Sequence, residues 1–401
     1  MFGKNTFKTV LKGLLVLPIF LPFVFSGLEV QATKAQAKLE VSGWIPYWRK
    51  DRGVTEALQH LDAFTEINPF GYSVKINGTL ADTAKMNEEP WTSLITSAKA
   101  KKIRIIPTVM WSDTEAIHRI LSNQKTRIAL EDEITALVKN NNYDGIDIDF
   151  EGKRAETMDY FSTFLKGLYQ RMGKKWVMCT IEVRTPLESR YDNIPKDIRY
   201  ANDFTAINKY CDRVRFMAYD QGTIDVVLNR ARMAPYIPVA DPAWVEKSIL
   251  LAAKNIPKKK ISIGLATYGY EYTFTKLSER GYRYDLEWAL NPKYGIDLAK
   301  SLGITPTRNA SNEISFMYTP TSTASLVSQN SQEEGGQPLS TSSVAQNLPG
   351  APLKGPTNIV WWSDAIAIKD KIDLAKKLGV RGVSIFKIDG GADPGLWEVL
   401  K

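Results

Sequence analysis

Apolar positions along this chain follow two periods in turn. Short runs rich in β-branched and aromatic residues occur at Leu39–Trp48, Phe64–Tyr72, Ile103–Trp111, Gly145–Glu151, Trp176–Val183, Val214–Asp220, Ile261–Tyr268 and Gly382–Ile388. Between them lie longer stretches with apolar residues three or four apart, at Trp91–Lys101, Arg127–Asn140, Met158–Met172, Asp197–Tyr210, Pro242–Ala253 and Ala365–Leu378. The first set predicts eight strands and the second the helices between them. A strand that returns through a helical crossover lies parallel to its predecessor, so the class is α/β with a parallel sheet. Eight such units predict a closed (β/α)8 TIM barrel rather than an open doubly wound sheet. The Gly-x-Gly-x-x-Gly fingerprint of dinucleotide sites is missing, which argues against the open alternative.

The last crossover is far longer than the others. Ile314–Tyr318 and Ile359–Trp362 predict two strands flanking Thr319–Thr357, a tract of Ser, Thr, Gln, Gly and Pro too polar to bury a core. It is expected to be a disordered excursion from the barrel surface, with a substrate-covering flap as the alternative.

At the N-terminus, Lys4, Lys8 and Lys12 precede an apolar run from Leu14 to Phe25. The small-residue sites Val30-Gln31-Ala32 and Ala35-Gln36-Ala37 follow it. This reads as an export signal over residues 1–37 ahead of one catalytic domain over 38–401. The apolar run is shorter than the roughly 20 residues a spanning helix needs, so cleavage is favoured over a retained anchor, and a secreted or cell-envelope protein without stable membrane insertion is expected.

The composition fits a folded protein: 401 residues, 44% hydrophobic and 24% charged. Removing the four lysines and Glu29 of the N-terminal segment takes the formal charge from +8 to +5. That balance suits an anionic surface but is too diffuse for nucleic-acid recognition. His60 and His118, the only histidines, are too few for a multi-histidine metal centre. Cys179 and Cys211 lack zinc or redox spacing. They read as small buried hydrophobes, with one bridge conceivable in an exported protein. No cofactor is implied, and a monomer is expected.

The sharpest chemical signal is Asp144-Gly145-Ile146-Asp147-Ile148-Asp149-Phe150-Glu151. Strand alternation places Asp147, Asp149 and Glu151 on one face and Ile146, Ile148 and Phe150 on the other. Three like charges on a buried strand resist ionising together, so at least one proton is retained. A carboxylic acid kept protonated at a strand's C-terminal end, where barrel active sites lie, is what protonation of a leaving group requires. A half-exposed polar strand is the plain alternative, but the partner face is too apolar for it. A divalent-metal site ranks below acid catalysis because the acids share one strand with no supporting histidine.

These residues complete the Asp-x-x-Asp-x-Asp-x-Glu pattern of the chitinase-like glycoside hydrolase family 18, which the chain therefore resembles. Met217-Ala218-Tyr219-Asp220 is similar to the family's Met-x-Tyr-Asp, and Leu265–Tyr270 to its seventh-strand motif. Gly43–Trp48 is similar to its aromatic first strand, and Trp361–Leu378 with Gly382–Ile388 to its closing helix and strand. The resemblance implies a retaining enzyme, acting on a β-linked N-acetylglucosamine oligo- or polysaccharide, in which the substrate's acetamido oxygen is the nucleophile. Glu151 would be the acid and base, Asp149 would orient the acetamido N–H, Asp147 would share a proton with Asp149, and Tyr219 would hydrogen-bond the acetamido oxygen.

Met217 would pack under the acetamido methyl, and Asp220 would bond a hydroxyl or cap a loop. Trp44, Tyr47, Trp48 and Tyr268 are candidate stacking platforms, and Phe386 stands where the family usually places the tryptophan floor. Asp144, of opposite parity, would secure the strand's start. Glu182 and Arg184 read as cleft residues or an ion pair. The crossover before the last strand reads as too irregular for the family's small α+β insertion domain, predicting a shallower cleft. Chitin, peptidoglycan and N-glycans all carry the required group; Asn68–Tyr72 resembles cell-wall-active members and tilts the expectation to peptidoglycan. A catalytically silent carbohydrate-binding barrel is the alternative from another class, and the presence of Glu151 counts against it.

Overall fold

The computed structural model describes residues 38–278, 281–320 and 357–401. Seven strands line up in parallel with intervening helices: β1 (Glu40–Pro46), β2 (Glu66–Val74), β3 (Thr108–Trp111), β4 (Gly145–Phe150), β5 (Trp176–Glu182), β6 (Arg213–Met217) and β7 (Ile261–Ala266). An eighth, β8 (Gly382–Phe386), pairs with both β7 and β1, and β1 pairs with β2, so the sheet closes on itself. This is the (β/α)8 barrel that the alternation predicted.

The predicted strand Ile103–Trp111 is interrupted. Arg104–Ile105 and β3 both pair with β2, and Pro107, with no N–H to give, lies at the break. Its carbonyl still accepts from the Asp147 N–H at 2.9 Å. Asp197–Tyr210 is helical only at Phe204–Tyr210, where Asp203 caps the helix by accepting from Thr205 N.

Each barrel strand turns an apolar face to the helices. Ile146, Ile148 and Phe150 are fully buried or nearly so. Phe150 packs on Phe164 and Phe161 of helix Met158–Met172, with centroids 5.3 and 6.0 Å away. That contact fixes the register of β4 and turns Asp147 and Asp149 inward.

The expectation that the crossover before β8 is too irregular for a small α+β insertion is overturned. Between β7 and β8 a five-stranded antiparallel sheet forms from Tyr282–Leu290, Gly269–Lys276, Thr357–Trp362, Ile314–Tyr318 and Thr307–Arg308, in that spatial order, with helix Pro292–Ser301 against it. A small α+β insertion is therefore present. Its strands alternate aromatic and polar residues, so Tyr270, Tyr272 and Phe274 pack with Tyr282 and Tyr284 on one face. Phe316, Val360 and Trp362 build a second small core with Leu290 and Leu298. The expected disordered tract, apart from Thr319, Pro320 and Thr357, lies outside the described residues.

Glu313 fastens the insertion to the barrel. Its buried carboxylate accepts from Val239 N (2.9 Å), Ala240 N (3.0 Å), Trp361 Nε1 (2.7 Å) and Ser363 Oγ (2.9 Å), and Lys371 Nζ stands 3.3 Å away.

Cys179 on β5 and Cys211 just before β6 form a disulfide, in place of two separate buried thiols. Both are fully buried. The paired double variant Cys179→Ala/Cys211→Ala should lower the unfolding free energy by about 2–4 kcal/mol in denaturant titration, the ordinary worth of a bridge across a loop of this size. An unchanged transition midpoint would show that the bridge contributes nothing to stability.

Candidate active site

The site grows from the C-terminal end of β4. Asp144 accepts a hydrogen bond from Ile105 N at 2.8 Å and pins the strand's start, as its parity predicted. Gly145 follows because β5 passes so close that a Cβ there would lie 2.3 Å from the Trp176 carbonyl oxygen. From this anchored start the chain rises through the three same-face acids.

Asp147, fully buried, is the most constrained. Its carboxylate accepts from Trp44 Nε1 (3.0 Å), Thr108 Oγ1 (2.9 Å) and Thr180 Oγ1 (2.9 Å), side chains on β1, β3 and β5. Arg215 of β6 places Nη1 2.9 Å from Asp147 Oδ1 and also pairs with Glu66 of β2. Burial pushes the Asp147 carboxyl up to about 6 against those three hydrogen bonds. The same burial brings the Arg215 guanidinium down to about 9, so it is still a cation at neutral pH.

Asp149 is buried too, and its Oδ1 has no hydrogen-bond partner among the described residues. Burial raises its carboxyl well above the usual range, and the charges of Glu151, Asp147 and Glu182 push in the same direction. An unpartnered buried carboxylate oxygen is costly; a retained proton, or an N–H arriving with a ligand, relieves it. Glu151 sits at the strand's mouth, partly open. Burial first, then Glu182 and Asp220, raise it to about 7, with Lys153 opposing.

Aromatic rings line the barrel's mouth. Phe386, half-buried at the end of β8, stacks against Tyr219 (5.9 Å) and meets Trp44, Tyr268 and Phe70 edge-on at 6.0, 6.0 and 6.5 Å. The Phe386–Lys387 peptide is cis, and Thr267 bonds both its flanking backbone groups, accepting from Lys387 N and donating to Lys387 O. Tyr219 is surrounded by Asp220, Asp149, Glu151 and Asp147, and burial and those charges hold its phenol neutral. Met217, half-buried on β6, lies in register with Glu182. Tyr47 and Trp48 form an edge-on pair at the rim, with Trp48 in turn against Phe70.

Two expected platforms have other work. Trp44 is 2% exposed and gives its indole N–H to Asp147, so it supports an acid from below instead of offering a face. Tyr268, 4% exposed, donates to Asp220 Oδ1 at 2.7 Å, and Tyr270 donates to the same oxygen. Asp220, held in the left-handed region at φ +57°, is thereby fixed where its carboxylate opens on the cleft mouth.

Two side chains that sequence reasoning passed over belong here, Lys153 and Arg215, and Tyr270, read only as part of the Leu265–Tyr270 motif, joins them. Lys153 is buried, donates to the Phe150 carbonyl, lies over Phe161 and faces Glu182, Asp149 and Glu151. Its parity with Glu151 was the available signal, and Arg215 likewise shares parity with Met217 and Tyr219. Glu182 is a fourth carboxylate, accepting from Gly152 N (3.3 Å) and Asn202 Nδ2 (2.8 Å). Arg184 turns onto Tyr200 and Phe204 instead of pairing with it.

Comparison with known proteins agrees with this geometry. Residues 43–391 match the family described as glycosyl hydrolases family 18. The chain is 24% identical to an uncharacterized glycosylase, YvbX, of Bacillus subtilis, over 77% of this chain and 78% of that one. It is 25% identical to the cortical fragment-lytic enzyme of the same organism, over 84% and 67%. The crystal structure of the Bacillus cereus spore cortex-lytic enzyme SleL superposes with a TM-score of 0.65 at 18% identity, covering 90% of this chain and 74% of that one. A chitinase from Chromobacterium violaceum gives 0.66 at 16% identity, over 90% and 98%.

The electrostatics give a signed prediction. A proton donor works only while protonated, so kcat/KM should fall as pH rises through about 7, where Glu151 loses its proton. Glu182→Gln removes a charge that disfavours ionisation and should move this limb to lower pH. Lys153→Met removes one that favours ionisation and should move it higher. Initial rates across pH on a soluble chromogenic glycoside read all three; an unmoved limb in both variants would detach it from Glu151.

Proposed function

The chain belongs to the glycosyl hydrolases family 18, and we propose that it is an exported, retaining enzyme that cleaves β-linked N-acetylglucosamine-containing glycans using the substrate's own 2-acetamido group. The observation that carries the reading is the unpartnered, buried Asp149 oxygen beside the raised Glu151. Glu151 gives its proton to the glycosidic oxygen as the bond to C1 breaks. The acetamido oxygen attacks C1 to form an oxazolinium ion, while Asp149 receives the acetamido N–H and offsets the positive charge that develops. Water then attacks C1 and gives its proton to Glu151, which closes the cycle. Asp147 shares a proton with Asp149, Tyr219 bonds the acetamido oxygen, Met217 borders its methyl, and Phe386 lies beneath the ring.

Three acids on one strand support substrate assistance over a conventional pair. That pair would need carboxyl groups roughly 5–5.5 Å apart on opposite sides of the sugar. Relatives named for spore-cortex lysis favour a bacterial cell-wall glycan such as peptidoglycan over chitin. The buried disulfide supports export, since such bonds persist in oxidising compartments.

Purified peptidoglycan and chitooligosaccharides, digested side by side, test the substrate. Glu151→Gln should lower turnover on the order of 10²–10⁴-fold with sugar binding retained. Proton NMR of fresh product should show the β anomer, and cleavage should require an N-acyl group on the sugar whose C1 is released. An initial α product, or equal cleavage of deacetylated substrate, rejects substrate assistance. Inactivity of the wild-type protein on every acetamido glycan, with binding intact, would favour the silent barrel.

A further inference from the structure

The end of the barrel opposite the acids has its own chemistry. In a parallel barrel every segment that precedes a strand opens on the same, N-terminal face. Those segments carry Lys102 before β3, Lys174 before β5, Lys209 before β6, and Lys254, Lys258 and Lys259 before β7, all exposed. None of the six has a carboxylate partner among the described residues. Lys175 and Lys260 join them but donate to backbone carbonyls, those of Tyr143 (2.6 Å) and Asn208 (2.6 Å), so their charge is not cancelled.

The acids of the same segments are fewer. Glu40 is balanced by Arg213 and Arg381, and Asp62, the exposed one, pairs with Lys101 at 2.6 Å. Asp144 and Asp212 accept only from backbone N–H groups, of Ile105 and of Val177 at 2.8 Å, and keep their charge. Lysines nonetheless outnumber uncompensated carboxylates at the base, while acids gather at the opposite mouth.

From these placements we propose that the basal lysine ring docks on an anionic phospholipid surface, as a peripheral contact without insertion. The geometry favours a bilayer over a soluble polyanion. Lys38, exposed and leading into β1, enters on this face too, and a ring presented on loops around one end of a barrel meets a plane with many side chains at once, where basic residues add to one another's binding. Docked this way, the cleft points away from the bilayer toward an external polymer. The proposal does not depend on which glycan is cleaved.

Vesicle co-sedimentation of the full chain tests it. Vesicles with about 30 mol% phosphatidylglycerol in phosphatidylcholine should retain the protein far better than phosphatidylcholine alone, with the preference lost at about 0.5 M salt. The variant Lys174→Glu/Lys254→Glu/Lys258→Glu/Lys259→Glu should lower partitioning on the order of a thousandfold, while Lys75→Glu/Lys196→Glu, on the cleft side, should leave it unchanged. Circular dichroism and the thermal transition of the basal variant report that it is folded, and the four Lys→Gln replacements stand in if it is not. Undiminished binding by the folded basal variant would overturn the proposal and assign the contact to the N-terminal segment. So would equal binding to neutral and anionic vesicles.

Discussion

The structure depends on keeping carboxylates inside a protein where water does not reach them. Asp147 lies at the centre of that constraint. Four strands supply its partners, and the Arg215 cation beneath it is shared with Glu66, which in turn meets Arg104 at 3.2 Å. Arg104 comes within 3.8 Å of Glu40, whose own carboxyl is held at about 2 by Arg213 and Arg381 despite burial. A column of alternating charge therefore runs down the barrel interior. Each member is costly alone and tolerable only with its neighbours, because removing one partner leaves a buried charge uncompensated. Moving upward the cations give out: among the described residues Asp149 and Glu151 have only Lys153 against them, and burial with the neighbouring acids raises both carboxyls. The barrel's base is ionised and its mouth is acid, and the chemistry follows from where along the axis the counter-charges stop.

How much of this could be read in the sequence depends on whether the signal was local. The alternation of Asp147, Asp149 and Glu151 against Ile146, Ile148 and Phe150 is a property of one strand, and the structure keeps it unchanged. Asp144 was legible for the same reason. Trp44 was misjudged because its role is set by a partner about a hundred residues away, and an aromatic residue on a first strand says nothing of which atom its N–H will find. Arg215 went unnoticed for a similar reason: an arginine between Val214 and Phe216 reads as a solvent-facing residue until the barrel closes around it. The cysteine pair was undecidable from spacing alone, since only the adjacency of β5 and β6 brings the two together.

The insertion shows a different failure. Ile314–Tyr318 and Thr357–Trp362 were legible as apolar runs, but in Gly269–Lys276 and Tyr282–Leu290 aromatic residues alternate with Thr, Arg, Glu and Asp, so neither resembles the continuous apolar runs of the barrel. The polar tract that separates two of its strands in the chain drew attention from their pairing: Ile314–Tyr318 and Thr357–Trp362 are neighbours in space. Buried acids again do the organising. Glu271, inside this sheet, accepts from Tyr318, Asn358 and Tyr294, much as Asp147 gathers its donors in the barrel.

The Glu313 attachment bears on how such a protein can change over evolutionary time. Because one carboxylate serves loop 239–240, strand Thr357–Trp362, Ser363 and helix Ala365–Leu378 together, the insertion is not a cassette that can be exchanged at its two chain crossings. A replacement would have to bring an acid to the same point, or leave Lys371 buried without a counter-ion. Change is therefore easier by single substitutions on the insertion's surface than by trading the whole insertion.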